Sequence, residues 1–159
     1  MADVFKETPA TEDIHSPARG RLAALDEVPD EMFSNRILGD GFAVNPSDGV
    51  FRAPIAGELV LVADTLHAFA IRSKAGAEVL VHVGIDTVSL NGAGFSAKRA
   101  VGDRVEVGDE IILCDLTEVT HKVPSMLTPV IITNGETFAL SSVDLTAKGG
   151  DPVALVSPV

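Results

Sequence analysis

The sequence predicts an all-β fold, an antiparallel β-sandwich or barrel with duplicated turn-strand motifs and one or two short helices. Its apolar runs are three to seven residues long and rich in Val, Ile and Leu, which is the length and composition of strands. Fourteen glycines and nine prolines punctuate the chain, and such dense turn signals favour sandwiches and barrels. A turn-strand motif also occurs twice, at residues 16–22 and 53–59.

The strands are predicted, in chain order, where the apolar runs fall. They cover residues 21–25, 57–63, 68–71, 78–83, 105–107, 110–113, 130–133 and 153–156. Helices are predicted at residues 29–35, with Asp30 available to cap the first turn, and at residues 116–124. Residues 1–13 have little to bury, so they are predicted to form a mobile tail before a single domain at residues 14–159.

The two copies of the turn-strand motif share the pattern small-Pro-x-x-Gly-x-Leu, with Gly20 in the first copy and Gly57 in the second. Proline fixes φ and lacks an N–H donor, while glycine permits positive φ, so each copy is predicted to turn the chain into a strand. Chance recurrence of a common turn pattern is the alternative explanation. A third unit, residues 101–110, places two Gly-Asp turns on either side of a strand in which Val alternates with charge.

The composition excludes several classes of function. Lys and Arg total 12 against 23 Asp and Glu, and the net charge of −11 argues against binding to nucleic acid or anionic lipid. The hydrophobic fraction of 46% is enough to bury a core. Cys114 is the one cysteine, so the chain can form neither an internal disulfide nor a Cys-rich zinc site. It follows an apolar run and is predicted to be buried.

The N-terminus and the hydropathy pattern predict a cytoplasmic protein that does not insert directly into a membrane. The longest apolar stretches, such as residues 59–63, are far shorter than the ~18 residues that span a bilayer. The first seven residues include two acids, where a secretory signal would begin with a basic segment.

Two of the four histidines are predicted to lie side by side. In residues 78–83 the valines form the core face, so His82 points to the other side. A four-residue loop at residues 73–76 would place His67 directly opposite His82, with Cβ atoms roughly 4.5–5.5 Å apart. Thr65 shares the face of His67 and could orient its ring through the hydroxyl group. The histidines without such a partner, which are predicted to be structural or surface residues, are His15 and His121.

A histidine pair on one face is compatible with more than one chemistry. Imidazole binds zinc well, but catalytic zinc generally needs three protein ligands, and no third ligand is evident near His67 and His82. Alternatively, one imidazole nitrogen accepts a phosphoryl group while the second ring donates a hydrogen bond to a phosphoryl oxygen. A lipoyl- or biotinyl-type carrier would need a modifiable lysine beside a methionine, and neither Lys74 nor Lys98 has that neighbour. A zinc-dependent hydrolase or metal-binding β domain stays as the alternative to a phosphocarrier.

The segments around the two histidines resemble the glucose-family enzyme IIA domain of the bacterial phosphotransferase system. Residues 65–69 read Thr-Leu-His-Ala-Phe, and residues 81–88 read Val-His-Val-Gly-Ile-Asp-Thr-Val, with the histidines fifteen residues apart. The resemblance includes Val-Pro-Asp at residues 28–30 and Gly-Asp-Gly-Phe-Ala at residues 39–43. It implies an antiparallel β-sandwich or barrel that acts as a phosphocarrier in phosphoenolpyruvate-dependent sugar uptake.

The resemblance also implies roles for individual residues. His82 matches the active histidine, which accepts a phosphoryl group from phospho-HPr and passes it to a cysteine of a sugar-specific IIB domain. His67 matches the histidine that supports the transfer, and Thr65 matches its hydroxyl partner. No cofactor is implied, although incidental zinc at the two histidines stays open. The residues matched to the docking surface for these partners are Asp40, Phe42, Phe69, Leu80, Asp86 and Val88.

Overall fold

The computed structural model describes residues 10–159, and strands dominate its secondary structure. The strands are β1 Glu12–Ile14, β2 Gly20–Ala24, β3 Gly41–Pro46, β4 Val50–Arg52, β5 Gly57–Val62, β6 Ala68–Ser73, β7 Glu78–His82, β8 Phe95–Ala97, β9 Arg104–Val105, β10 Glu110–Cys114, β11 Thr128–Ile132, β12 Phe138–Ser141 and β13 Ala154–Pro158. The two α-helices are single turns, α1 Glu31–Ser34 and α2 Leu116–Val119. Short 3-10 helices lie at Leu25–Glu27, Thr87–Leu90 and Thr120–Lys122.

The described strands form three sheets, and every pairing between them is antiparallel. The largest sheet has seven strands in the order β2-β3-β11-β7-β6-β5-β9. The two smaller sheets have the orders β4-β10-β8 and β1-β13-β12. The predicted all-β antiparallel class is therefore confirmed.

The seven-stranded sheet carries a different apolar cluster on each face. On one face Val79 and Val81 belong to the main core, which also includes residues of the two smaller sheets. On the other face Leu80 packs against a smaller cluster that contains Val28 and Phe33, from the segment around α1. Because side chains alternate along a strand, His82 projects toward this second cluster.

Both copies of the repeated motif lead into a strand, as predicted, since β2 begins at Gly20 and β5 at Gly57. Each glycine is needed because a neighbouring strand passes close to it. A Cβ atom would lie 2.0 Å from the Asn45 carbonyl oxygen at Gly20 and 2.1 Å from the Arg72 carbonyl oxygen at Gly57. In the third unit, the strand between the two turns is β9, which has two residues and is shorter than predicted.

The predicted cap of the first helix is confirmed, because Asp30 Oδ1 accepts a hydrogen bond from Met32 N at 2.9 Å.

The prediction that residues 1–13 form a mobile tail is wrong for the last two of these residues. Glu12 and Asp13 belong to β1, which pairs with β13, while residues 1–9 lie outside the described part of the chain. Among residues 10–159, no helix is long and apolar enough to cross a membrane.

Candidate functional site

His82 is the last residue of β7, and its ring is fixed by the backbone two residues later. His82 Nδ1 lies 2.7 Å from the Gly84 carbonyl oxygen. A carbonyl oxygen can only accept, so Nδ1 carries the proton of the neutral ring and Nε2 keeps the free electron pair. Gly84 has a φ of +70°, and a Cβ atom there would lie 2.9 Å from Thr87 Cγ2 and 3.1 Å from Met126 Sδ. The glycine therefore permits the turn that brings its carbonyl to the ring.

Two fully buried threonines hold this turn. Thr87 Oγ1 donates to the Val83 carbonyl oxygen at 2.7 Å, and Thr128 Oγ1 accepts from Gly84 N at 3.3 Å while donating to the Met126 carbonyl oxygen at 3.0 Å. Both side chains belong to residues that are 0% exposed. The role of these threonines cannot be predicted from the sequence, because their contact with the turn depends on β11 lying beside β7.

His67 lies just before β6 and is oriented by a side chain. Thr65 Oγ1 is 2.6 Å from His67 Nδ1, so the hydroxyl group contacts the ring, as predicted from the sequence. Leu66 between them has a φ of +60°, a left-handed conformation that turns the chain sharply. The His67 carbonyl oxygen accepts from Val83 N at 2.7 Å, which ties this turn to the end of β7.

The two imidazole rings meet edge to face, with centroids 4.9 Å apart and an interplanar angle of 79°. The predicted register is nevertheless wrong, because Ala68, and not His67, pairs with His82. Ser73 N donates to the Ala77 carbonyl oxygen at 2.8 Å, so the hairpin loop has three residues and not four. His67 lies before β6, so its side chain does not have to follow the alternation of faces along the strand. Its ring can therefore contact that of His82.

The pair sits against an apolar wall. The Phe33 ring centroid is 5.0 Å from that of His82, and Phe33 is buried with the second cluster. Burial lowers the pKa of His82, although the hydrogen bond to Gly84 and the charge of Asp30 act in the opposite direction. Burial also lowers the pKa of His67, and the nearby His82 lowers it further. Both rings are therefore neutral at neutral pH.

Asp30 and Phe33 are site residues that sequence reasoning missed. The sequence predicts Asp30 only as a helix cap, yet the charge of its carboxylate also acts to raise the pKa of His82. Phe33 lies in the predicted helix without any assigned role. A helix of one turn gives no periodicity from which its packing against the sheet could be predicted.

The predicted docking residues divide into buried and accessible ones. Phe42 and Phe69 are 1% and 0% exposed and belong to the main core, so the prediction that they line a docking surface is wrong. They alternate with the residues that face the His82 side, which is why they point the other way. Leu80 is half-buried. Asp86, the N-cap residue of the 3-10 helix that follows His82, is exposed, and Val88 within that helix is 50% exposed.

Asp40 is exposed but engaged in hydrogen bonds. Its Oδ1 accepts from Arg36 Nε at 3.0 Å and from Gly41 N at 2.8 Å. Arg36 also binds Asp26 at 3.0 Å. The charge of Asp40 is therefore partly compensated within the chain, unlike that of Asp86, for which the structure gives no salt bridge among the described residues.

The remaining histidines and the cysteine lie elsewhere. His15 Nδ1 is 2.9 Å from the Gly150 carbonyl oxygen, and His121 is exposed after α2. Cys114 is buried, as predicted, and burial raises the pKa of its thiol to about 12. Across residues 10–159, no group of three or more His, Cys, Asp and Glu side chains could hold a metal ion, and nothing supports the zinc-hydrolase alternative.

Comparison with protein families gives a match over most of the chain. Residues 12–138 match the family model described as phosphoenolpyruvate-dependent sugar phosphotransferase system, EIIA 1. The matched range contains Thr65, His67 and His82, together with the turn that follows β7.

Comparison with individual proteins gives relatives of similar length. The chain is 45% identical over 142 residues to the PTS system glucose-specific EIIA component of Mycoplasma capricolum, covering 89% of this chain and 92% of that protein. It is 44% identical over 133 residues to the protein of the same name from Halalkalibacterium halodurans, covering 84% and 77%. The solved structure of glucose permease IIA from Mycoplasma capricolum superposes with a TM-score of 0.85 at 43% identity, covering 92% of this chain and 96% of that one.

Proposed function

The chain belongs to the EIIA family of the phosphoenolpyruvate-dependent sugar phosphotransferase system, where it is a phosphocarrier, and we propose that His82 carries the phosphoryl group. The observation that supports this assignment is the hydrogen bond from His82 Nδ1–H to the Gly84 carbonyl oxygen. It fixes the tautomer whose free electron pair is on Nε2, the nitrogen that can attack phosphorus.

The transfer consists of two displacements at phosphorus. In the first, His82 Nε2 attacks the phosphohistidine of HPr; a nitrogen–phosphorus bond forms on His82, and the bond on HPr breaks with its electron pair returning to the HPr imidazole. In the second, the thiolate of a IIB cysteine attacks the phosphorus on His82; a sulfur–phosphorus bond forms, and the nitrogen–phosphorus bond breaks with its electron pair returning to His82 Nε2. The lowered pKa of His82 keeps the ring neutral, and therefore nucleophilic, at neutral pH.

His67 supports the transfer through a hydrogen bond in this proposal. If the Thr65 hydroxyl donates to His67 Nδ1, the neutral His67 ring carries its proton on Nε2. With the ring centroids 4.9 Å apart, that N–H can donate to an oxygen of a phosphoryl group on His82. A donor held in place before the reaction stabilises the charge that develops during transfer.

The surroundings of the pair suit docking by cationic protein partners. Exposed apolar side chains lie on residues 32–38, on either side of Phe33, and on the 3-10 helix after His82, and these are Met32, Ile37, Leu38 and Val88. Asp30 and Asp86 flank these two segments as the N-cap residues of α1 and of the 3-10 helix. The net charge of −11 would speed encounter with basic partners. HPr and a IIB domain are the proposed partners, and a glucose-specific IIB domain is the first to test because the relatives are named glucose-specific.

A phosphorylation assay tests the assignment of His82. With phosphoenolpyruvate, enzyme I and HPr, the wild-type protein should gain one phosphoryl group that is stable in base and labile in acid. His82→Gln should gain none, because the attacking Nε2 is lost, while the matched control His121→Gln should accept at the wild-type rate. Normal acceptance by His82→Gln, measured by intact-protein mass spectrometry, would refute the assignment.

A further inference from the structure

One cavity of the described structure lies away from the histidine pair. It has a volume of about 670 Å³ and is bounded by the segment before β2, by Arg52 of β4 and by residues 147–153. None of the proposed transfer residues lines it. Leu22, which lines the cavity, belongs to the main core, while the next residue, Ala23, belongs to the cluster on the His82 face. The cavity and the histidine pair therefore lie on opposite faces of the seven-stranded sheet.

The charge of this cavity is opposite to that of the chain as a whole. The chain has 23 acidic and 12 basic side chains, yet the lining contains three cations and a single acid. The cations are Arg19, Arg52 and Lys148, and the acid is Asp151. We call this site the basic cavity. Like charges that line one cavity repel one another, and an anion bound among them offsets that repulsion.

The arginines retain most of their capacity to bind an anion. Arg19 contacts Asp48 at 3.7 Å, but its side chain is 77% exposed, so this pair is weak. Arg52 Nη1 makes one long contact, 3.4 Å, to the Val50 carbonyl oxygen. No carboxylate among the described residues lies within 4 Å of the charged groups of Arg52 or Lys148. A guanidinium with unused N–H donors binds phosphate or carboxylate through two parallel hydrogen bonds.

The walls of the basic cavity are held by backbone hydrogen bonds. Arg52 N donates to the Pro17 carbonyl oxygen at 2.7 Å, and Ser47 N donates to the Arg19 carbonyl oxygen at 2.8 Å. On the other side, His15 Nδ1 donates to the Gly150 carbonyl oxygen at 2.9 Å, which ties the glycine pair after Lys148 to the first wall. The three cations thus belong to three segments, which are the residues before β2, β4 and residues 147–153, and hydrogen bonds connect these segments to one another.

From these observations we infer that the basic cavity binds a small organic molecule with at least two anionic groups, phosphate or carboxylate. Its volume is in the range of small-molecule sites, roughly 300–1,000 Å³. Apolar side chains line it beside the cations, among them Ala18, Leu22 and Val153. Arg52 and Lys148 hold the anionic groups, and the apolar lining contacts the carbon skeleton. This inference does not depend on the proposed role of His82.

Calorimetric titration of the full chain tests the inference, with pyrophosphate as the phosphate probe, citrate as the carboxylate probe and glucose as the neutral control. At least one anion should bind, and glucose should not; the tighter probe identifies the preferred anionic group. Arg52→Gln should weaken that binding by about tenfold or more, since it removes charge-assisted hydrogen bonds. The matched control Arg104→Gln removes the same charge from an exposed strand outside the cavity and should leave the affinity nearly unchanged.

Amide NMR spectra locate the binding independently of the arginine variants. The expected chemical-shift changes centre on Gly149 and Gly150, and Lys148→Gln should reduce them even if Arg52→Gln fails to fold. Three results would overturn the inference. These are no binding by either anion at about 10 mM, equal weakening by Arg52→Gln and Arg104→Gln, and shift changes that centre on His67 and His82.

Discussion

The two histidines of the proposed transfer site have the same side chain but are held in different ways. His82 binds a main-chain carbonyl, that of Gly84, and lies against Phe33. His67 binds a side-chain hydroxyl, that of Thr65, and lies in a less buried position. A carbonyl can only accept, so it imposes one tautomer, whereas a hydroxyl can donate or accept.

This difference explains how histidine can serve both as the proposed nucleophile and as the proposed supporting residue. A nucleophile needs its attacking nitrogen free of a proton at all times, and a backbone acceptor on the opposite nitrogen secures that. A supporting residue needs its outer nitrogen to carry a proton, and a hydroxyl that donates to the inner nitrogen provides it. The comparison predicts that the two histidines respond differently to substitution.

The largest difference should appear when the supporting ring is removed. His67→Ala should still accept a phosphoryl group from phospho-HPr, because the attacking nitrogen belongs to His82. Transfer onward to a IIB domain should slow by about 10²-fold or more, because the departing phosphoryl group loses its hydrogen-bond donor. Rapid-quench measurement of the two half-reactions separates these effects. If both half-reactions slow equally, the division of roles between the rings is wrong.

A smaller effect on onward transfer should follow when the His67 ring loses its contact with the Thr65 hydroxyl but is itself retained. Thr65→Val keeps the shape of the side chain but loses the hydroxyl that contacts His67 Nδ1. Onward transfer should slow by about tenfold, in line with the loss of one neutral hydrogen bond, while acceptance is maintained. Thr65→Ser restores the hydroxyl and should recover most of the rate. Equal rates for the Val and Ser variants would contradict the proposed role of the hydroxyl.

How far the sequence predicts this site is clearest from the histidine pair itself. The spacing correctly brings His67 and His82 together, but through a register that the structure contradicts, because the hairpin loop has three residues. Loop length changes register by whole residues, and a turn rich in Ser, Ala and Gly does not specify it. The contact survives because His67 lies outside the paired strand.

Alternation along a strand is predictable, but only where the strand itself is recognised. The core face of β7 follows from its valines, and the structure confirms that they are buried. In contrast, β3 was not predicted, since it begins with Gly41 and ends with Asn45 and Pro46, which are turn residues. Without that strand the inward direction of Phe42 could not be derived. Phe33 was missed for a related reason, because its contact with His82 joins a one-turn helix to a distant strand.

The smallest predicted effect concerns protonation. Burial lowers the pKa of both histidines below the ordinary value of 6.5, so each ring should titrate, by imidazole NMR, with a midpoint below 6.5. Below that pH the unfolded chain takes up protons more readily than the folded one, so the melting temperature should fall as the pH decreases. His82→Gln should reduce this dependence. A midpoint above 6.5 for either ring would contradict the argument from burial.

In the proposed mechanism, His82 attacks through Nε2 because the Gly84 carbonyl oxygen holds the proton on Nδ1. The most direct test is ¹⁵N and ³¹P NMR of the protein after phosphorylation by phosphoenolpyruvate, enzyme I and HPr, with ¹⁵N-labelled histidine. The expected spectrum shows phosphorus coupled to Nε2 of His82, with Nδ1 still protonated. Coupling of phosphorus to Nδ1 of His82, or to either nitrogen of His67, would contradict the proposed mechanism.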